Sequence, residues 1–358
     1  MKDNKTKQEN KPRVLAFSAF EIEKTAMPDS KETVRSGFDY VSWGKDNRFP
    51  QDLYDMYQNS AILQSVINGT SDYVLGNGII SAFDVVNDKY ETLEDIIKRC
   101  VFDYLIFGGF AIQLMYKGGK VEAMYWLDFQ KCRKSEDEKK IYYSDDWGKY
   151  AKKSLEYNAW TPDTNKGTCI YYYKGHKTRG IYPVPIYVGA LKSVKISTEI
   201  SNFHLNNIVK GFASNAIISF NNGEPDDDTK ARIERDVKEK FCGTDNAGSF
   251  LLLFNDSKEN AAEVAKIQDD SFDKKYDQLS KSVKEDIFIA FRATPELFGL
   301  PTDNNGFSTE EYLQAFSLFN KTVVKPIQKD IERAFKSKGF VIKFKTFTLE
   351  DATDKEIE

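Results

Sequence analysis

Residues 287 to 311 constrain this chain more than any other stretch. Ile287-Phe288-Ile289-Ala290-Phe291 reads as the apolar end of a helix, and the segment from Thr294 to Pro301 stops it. Proline at 295 lacks an N–H and drives Thr294 out of helical geometry, while Gly299 and Pro301 keep the helix from resuming. After Thr302-Asp303-Asn304-Asn305-Gly306-Phe307, Ser308 and Glu311 stand at capping-box spacing and open a second, longer helix. A polar connector of about fifteen residues between two helices is longer than compact domains ordinarily use, and such loops are functional or disordered. This one reads as a moving part.

The 358 residues allow two or three domains with a substantial core. Hydrophobic residues at 41% and aromatics at 14% place the chain among folded proteins. The 51 basic and 55 acidic residues leave a net charge of -4. That argues against tight gripping of phosphates, which needs a concentrated excess of Lys and Arg; passive contact with DNA stays open. Cys100, Cys132, Cys169 and Cys242 lie far apart with no C-x-x-C pair, so free thiols in a reducing cytosol are expected, not a zinc site or disulfides. No apolar run approaches the roughly eighteen residues of a membrane span, and the polar start is no signal peptide. The chain is expected to be soluble and made in the cytosol. It carries no G-x-x-x-x-G-K-[ST], so Gly76-Asn77-Gly78 reads as a helix C-cap, not a nucleotide loop.

The pattern along the chain predicts an α+β fold. Residues 1–36 read as a flexible arm with a short strand at Val14–Phe17, and Tyr40–Pro50 as a turn-rich lead. Leu53, Tyr54, Tyr57, Ile62, Val66 and Ile67 mark one helix ending near Gly76, and Leu93–Phe107 marks another, broken by Gly108-Gly109. Alternation over Ala111–Tyr116, Val121–Leu127, Ile141–Tyr143 and Ile170–Tyr173 predicts antiparallel strands. Their aromatics, Trp126 and Tyr171 among them, fit sheet packing better than base stacking. Leu191–Phe212 reads as a long helix, followed by a strand at Asn215–Phe220, a charged helix from Pro225 to Phe241, a strand at Phe250–Phe254 and a further one at Glu263–Gln268. Phe272, Tyr276, Leu279, Val283, Ile287 and Phe291 stripe the next helix. Tyr312, Phe316, Phe319, Val323, Ile327, Ile331 and Phe335 stripe the last, inside which Pro326 should produce a kink or bend. A final strand, Val341–Phe347, leads to an acidic tail.

Catalytic chemistry finds little support. His176 and His204 have no convergent carboxylate or nucleophile in sequence, and a surface or interface role suits His204. Asp226-Asp227-Asp228 suggests a metal cluster, but negative charge at a helix start explains it better. Lys230, Arg232, Glu234, Arg235, Lys238, Glu239 and Lys240 form a charged helix whose ordinary reading is a solvated face.

Ile287, Phe291, Pro295, Leu297, Gly299, Ser308, Glu311 and Pro326, in that order, resemble the portal proteins of tailed bacteriophages, of the long-tailed type. The resemblance runs from about Tyr40 to Phe340; Thr294 stands where many relatives carry a first of two prolines. It implies a portal fold: a wing over 37–190, stem helices over 191–214 and 269–292, a clip over 215–268, and a tunnel loop over 293–307. A long kinked helix and returning wing strand would occupy 308–347, an acidic tail 348–358, and a crown would be minimal or absent. The family assembles as a ring of roughly twelve subunits, closed by heterologous contacts. The resemblance further implies a non-enzymatic subunit at one capsid vertex of the virion, formed in the host cytoplasm. Double-stranded DNA would pass Thr302, Asp303, Asn304, Asn305, Gly306 and Phe307, and Glu310, Gln314, Ser317 and Lys321 would face the lumen. Pro295, Gly299 and Pro326 would act as hinge points. The clip would dock the terminase large subunit and head–tail adaptor proteins, with the major capsid protein and scaffold as further partners; no cofactor, metal or membrane is implied. Two rivals stand beside it: a metal-dependent DNA-processing enzyme built on Asp226–Asp228, and another minor head or adaptor protein.

Overall fold

The computed structural model describes residues 28, 30–81, 85–148, 154–175, 178–209, 216–220, 226, 228–229, 231–233, 235, 250–254, 272–300, 309–345 and 347. The lead before residue 49 is more ordered than its turn residues suggest. β1 (Glu32–Val34) pairs antiparallel with β2 (Val41–Trp43), and the Glu32 carboxylate accepts from the backbone N–H groups of Ile181 and Tyr182. One expected helix is two, α1 (Phe49–Asn59) and α2 (Ala61–Leu75). Ser60 divides them: its backbone is extended, and its hydroxyl accepts the Leu63 N–H at 3.3 Å, so it stops one helix and caps the next. β3 (Ile79–Ser81) follows, and α3 (Leu93–Phe107) opens with a Thr92–Asp95 capping box and closes on left-handed Gly108. Ile96, Ile97, Cys100, Val101 and Leu105 are fully buried, which makes α3 a core helix.

Six strands form the main sheet: β4 (Gly109–Lys117), β5 (Lys120–Leu127), β6 (Cys132–Lys134), β7 (Lys140–Tyr143), β8 (Leu155–Ala159) and β9 (Gly167–Lys174), in the order β5-β4-β9-β8-β7-β6. The four expected strands are present. β6 and β8 are additional, and β8 runs parallel to β9, with Asn158 opposite Cys169, so the sheet is mixed where an antiparallel one was expected. β6 hides from pattern reading because it buries Arg133. That guanidinium has all five N–H groups engaged by neutral oxygens, of Asn47, Gln51, Gln130 and Cys132, and its face lies 4.9 Å from the Trp147 ring. A buried cation survives there because every donor is satisfied.

The chain then leaves the sheet as α4 (Leu191–Val209). β10 (Ala216–Phe220) and β11 (Phe250–Phe254) pair in parallel and in register, which requires a crossover between them. Helical backbone at 228–229, 231–233 and 235 lies on that crossover, as the strand–helix–strand pattern predicts. The strands expected at Val14–Phe17 and Glu263–Gln268 and the acidic tail lie outside the described residues. α5 (Phe272–Phe291) returns beside α4; α6 (Thr309–Phe319), a π turn (Asn320–Val324) and α7 (Lys325–Lys336) run on to β12 (Ile342–Phe344), which pairs antiparallel with β3. One continuous core joins α2, α3, β4, the second half of α5, the π turn and α7. Among the described residues no helix is long and apolar enough to cross a membrane.

Candidate functional site

The helix pair α4/α5 is held at one end by the Ser193 hydroxyl donating to Asp286 at 2.8 Å, and further along by Phe203 stacking on Tyr276 with centroids 5.1 Å apart. His204 sits edge-on to Tyr276 on the exposed side of α4, an aromatic contact. His176 lies outside the described residues. Val283, Ile287, Phe288 and Phe291 anchor the far half of α5 in the core.

α5 ends on Arg292, a non-glycine residue in left-handed geometry at φ 55°, a strained conformation held in place by Ala293 donating to the Phe288 carbonyl at 3.0 Å. Thr294 is extended, as a residue before proline should be, and Pro295 opens a single 3-10 turn, Pro295–Phe298, closed by left-handed Gly299. The turn is pinned to α2. The Tyr73 hydroxyl donates to the Leu297 carbonyl at 2.6 Å and lies 3.1 Å from the Tyr312 hydroxyl of α6. The Phe298 ring comes so close to Gly69 that a Cβ there would stand 2.6 Å from it. Glycine in the middle of α2 is thus a packing requirement. The connector residues Thr302 to Phe307, and Ser308 of the expected capping box, lie outside the described residues.

Glu310, Gln314, Ser317 and Lys321 are all exposed and fall at steps of four, three and four, so the helix brings them onto one stripe. Leu313 at 47% and Leu318 at 64% exposure flank that stripe, and the inner face presents Phe316 and Phe319 to Tyr73. The disturbance expected at Pro326 takes the form of the π turn just before it. Lys325 donates to the Asn320 carbonyl, five residues back, where an α-helix would reach four. Phe319, Val323, Ile327, Ile331 and Phe335 repeat every four residues, and steps of four drift by about 40° each around a 3.6-residue helix. One wide turn absorbs part of that drift and makes room for a proline ring.

On the crossover between β10 and β11, Arg232 and Arg235 are exposed; Lys230, Glu234, Lys238, Glu239 and Lys240 lie outside the described residues. Asp226 accepts from the Thr229 N–H at 2.8 Å and from its hydroxyl at 3.0 Å, the helix-start role expected of it, and these bonds hold its carboxyl below the usual range. Among the described residues no group of three His, Cys, Asp or Glu could hold a metal. Cys100, Cys132 and Cys169 are buried free thiols, raised by burial. Sequence reasoning passed over Gly69 and Tyr73; a glycine in the interior of the apolar-striped helix 61–75 was the one available signal.

The sequence profile of the phage portal protein family matches residues 81–355. The chain belongs to that family. No curated protein matches the portal chain in sequence. Among solved structures, the neck of an empty gene transfer agent (GTA) particle computed with C6 symmetry aligns with a TM-score of 0.54 at 11% identity, over 84% of this chain and 86% of that one. The neck of a native GTA particle computed with C12 symmetry aligns at 0.51 and 12%, over 88% and 86%. An HK97-family phage portal protein from Corynebacterium diphtheriae aligns at 0.50 and 14%, over 84% and 97%. At such identities the likeness speaks for the fold, and that fold is the mixed helix-and-sheet portal architecture.

Proposed function

We propose that this structural portal subunit builds a ring of roughly twelve copies, closed by heterologous contacts, at one vertex of a virion capsid. Double-stranded DNA passes through its centre during packaging and ejection. The observation that carries the reading is the family match over 81–355, which spans the helix–Pro295–helix unit and the strand–helix–strand crossover. In this reading 37–190 is the wing, α4 and α5 are the stem, β10 to β11 with their crossover form the clip, and 293–307 is the tunnel loop. The polar stripe of Glu310, Gln314, Ser317 and Lys321 faces the lumen, where an uncharged or mixed surface lets phosphates slide because it does not hold them. The clip, with Arg232 and Arg235 exposed, docks the packaging motor and later the head–tail adaptors. Without a phosphate-binding loop in the sequence, the energy comes from a separate ATPase, the terminase large subunit. Negative-stain images and mass measurement of the purified full chain test the ring directly. Hollow rings of uniform mass are expected; a monomer persisting at high concentration overturns the assignment of a ring.

A further inference from the structure

The α4/α5 pair leaves a groove of about 650 Å³ on its surface, floored by Ile196, Ile200, Phe203 and Leu279. Ile196 is 37% and Leu279 41% exposed, an apolar strip between the two helices. Lys192 and Lys195 stand on its wall at the start of α4, and Glu199, one turn further along, is the one carboxylate among its lining residues; Lys195 also faces Asp52 of α1. An apolar channel with a positive mouth selects an apolar segment with a negative end.

The chain carries such a segment. Residues 13–23 read Arg-Val-Leu-Ala-Phe-Ser-Ala-Phe-Glu-Ile-Glu, apolar from Val14 to Phe20 and acidic at Glu21 and Glu23, and they lie outside the described residues. We infer that this segment docks in the α4/α5 groove, with Phe17 and Phe20 over Ile196 and Leu279 and with Glu21 and Glu23 beside Lys192 and Lys195. Direction agrees with the fit. The acidic end is the one nearer to β1, which Glu32 ties to Ile181 and Tyr182, and Lys192 stands in the first turn of α4, ten residues after Tyr182. Seven peptide units separate Glu23 from Ser30, enough to span about 24 Å when extended. The arm would then lie as a strap along α4 and α5.

The test uses the full chain with p-benzoylphenylalanine in place of Phe17, photolysed and mapped by mass spectrometry. Adducts on Ile196, Ile200 or Leu279 are expected, and Lys192→Glu, at an exposed position that the fold does not need, should cut their yield about fivefold by turning an attraction into a repulsion. Adducts confined to other elements, no adduct at all, or a yield indifferent to Lys192→Glu would overturn the docking. Mixing isotopically heavy and light chains tells whether a strap serves its own subunit or the adjacent one. The outcome is separable from the ring: groove adducts in a protein that forms no ring sink the ring alone, and rings without groove adducts sink the strap alone.

Discussion

Gly69 and Phe298 stand 229 positions apart in sequence, yet the ring of one occupies the space where a side chain of the other would be. Alanine at 69 gains about 1 kcal/mol of helix propensity and still overpacks the site, so Gly69→Ala should destabilise by about 1–2 kcal/mol net. Denaturant unfolding checks this, and Phe298→Leu in the same chain should recover part of the loss. Lys338 gives a second prediction, this one in pH. It is 7% exposed, its Nζ lies 3.1 Å from the Trp160 ring centroid and 3.7 Å from that of Tyr171, and Ser337 accepts from it. Cys169 of β9 faces it too, a thiol pushed up to about 11 by burial and therefore neutral. Burial pushes the Lys338 amine down to about 7, against roughly 10.4 when unfolded; the ring faces, which favour the cation, offset this in part. Between those values the unfolded chain holds a proton that the native one lacks, so this group makes stability rise with pH from about 7 to about 10. Compared with the parent, Lys338→Met should lose that slope and be the more stable of the two at pH 7, measured as melting temperature against pH.

Among the elements, the π turn and Pro326 belong together. An extra residue in the turn leaves the inner faces of α6 and α7 aligned, and the widened turn holds a proline that an ordinary helix interior would pay about 3 kcal/mol to keep. Deleting Thr322 should therefore be tolerated when Pro326→Ala accompanies it, within about 1–2 kcal/mol of the parent. Deleting Leu318 instead turns the inner face of α6 by about 100° and should prevent native packing against Tyr73. Melting temperatures of the three chains decide it. The same elements mark what sequence could reveal. Stripes of Phe and Ile at helical spacing and the apolar-rich runs of β4, β5, β7 and β9 made most of the fold legible, because burial there is mainly apolar. β6 was illegible because Arg133 is buried by hydrogen bonding, and β8 because Leu155 and Glu156 face solvent. The division at Ser60 needed a cap that apolar spacing does not encode. Of the candidate site, the helix stop at Pro295 and the left-handed turn at Gly299 were readable from local chemistry. Tyr73 and Gly69 were not, since their roles depend on a partner more than 220 residues away.

At the scale of the whole molecule, Leu313 and Leu318 are the exposed apolar residues that border the α6 stripe. If the stripe lines a lumen, these flanks meet the neighbouring copies. Leu318→Glu should then block or weaken ring formation while leaving the subunit's own unfolding midpoint within about 0.5 kcal/mol, a contrast that light scattering and melting together resolve. The far end of the chain bears on the same helix. Phe347 rests with ring centroids 5.7 Å from Phe316 and 5.5 Å from Tyr73, and it follows a strand joined to β3 by three residue pairs and one further bond, from the Lys345 N–H to the Gly78 carbonyl at 2.9 Å. Tension applied at the C-terminus would meet this short zipper first, peeling Phe347 and β12 away before α7 yields, and would be felt at once on the underside of α6. A bead or fusion partner hung from the tail is thus a mechanical handle on the connector itself.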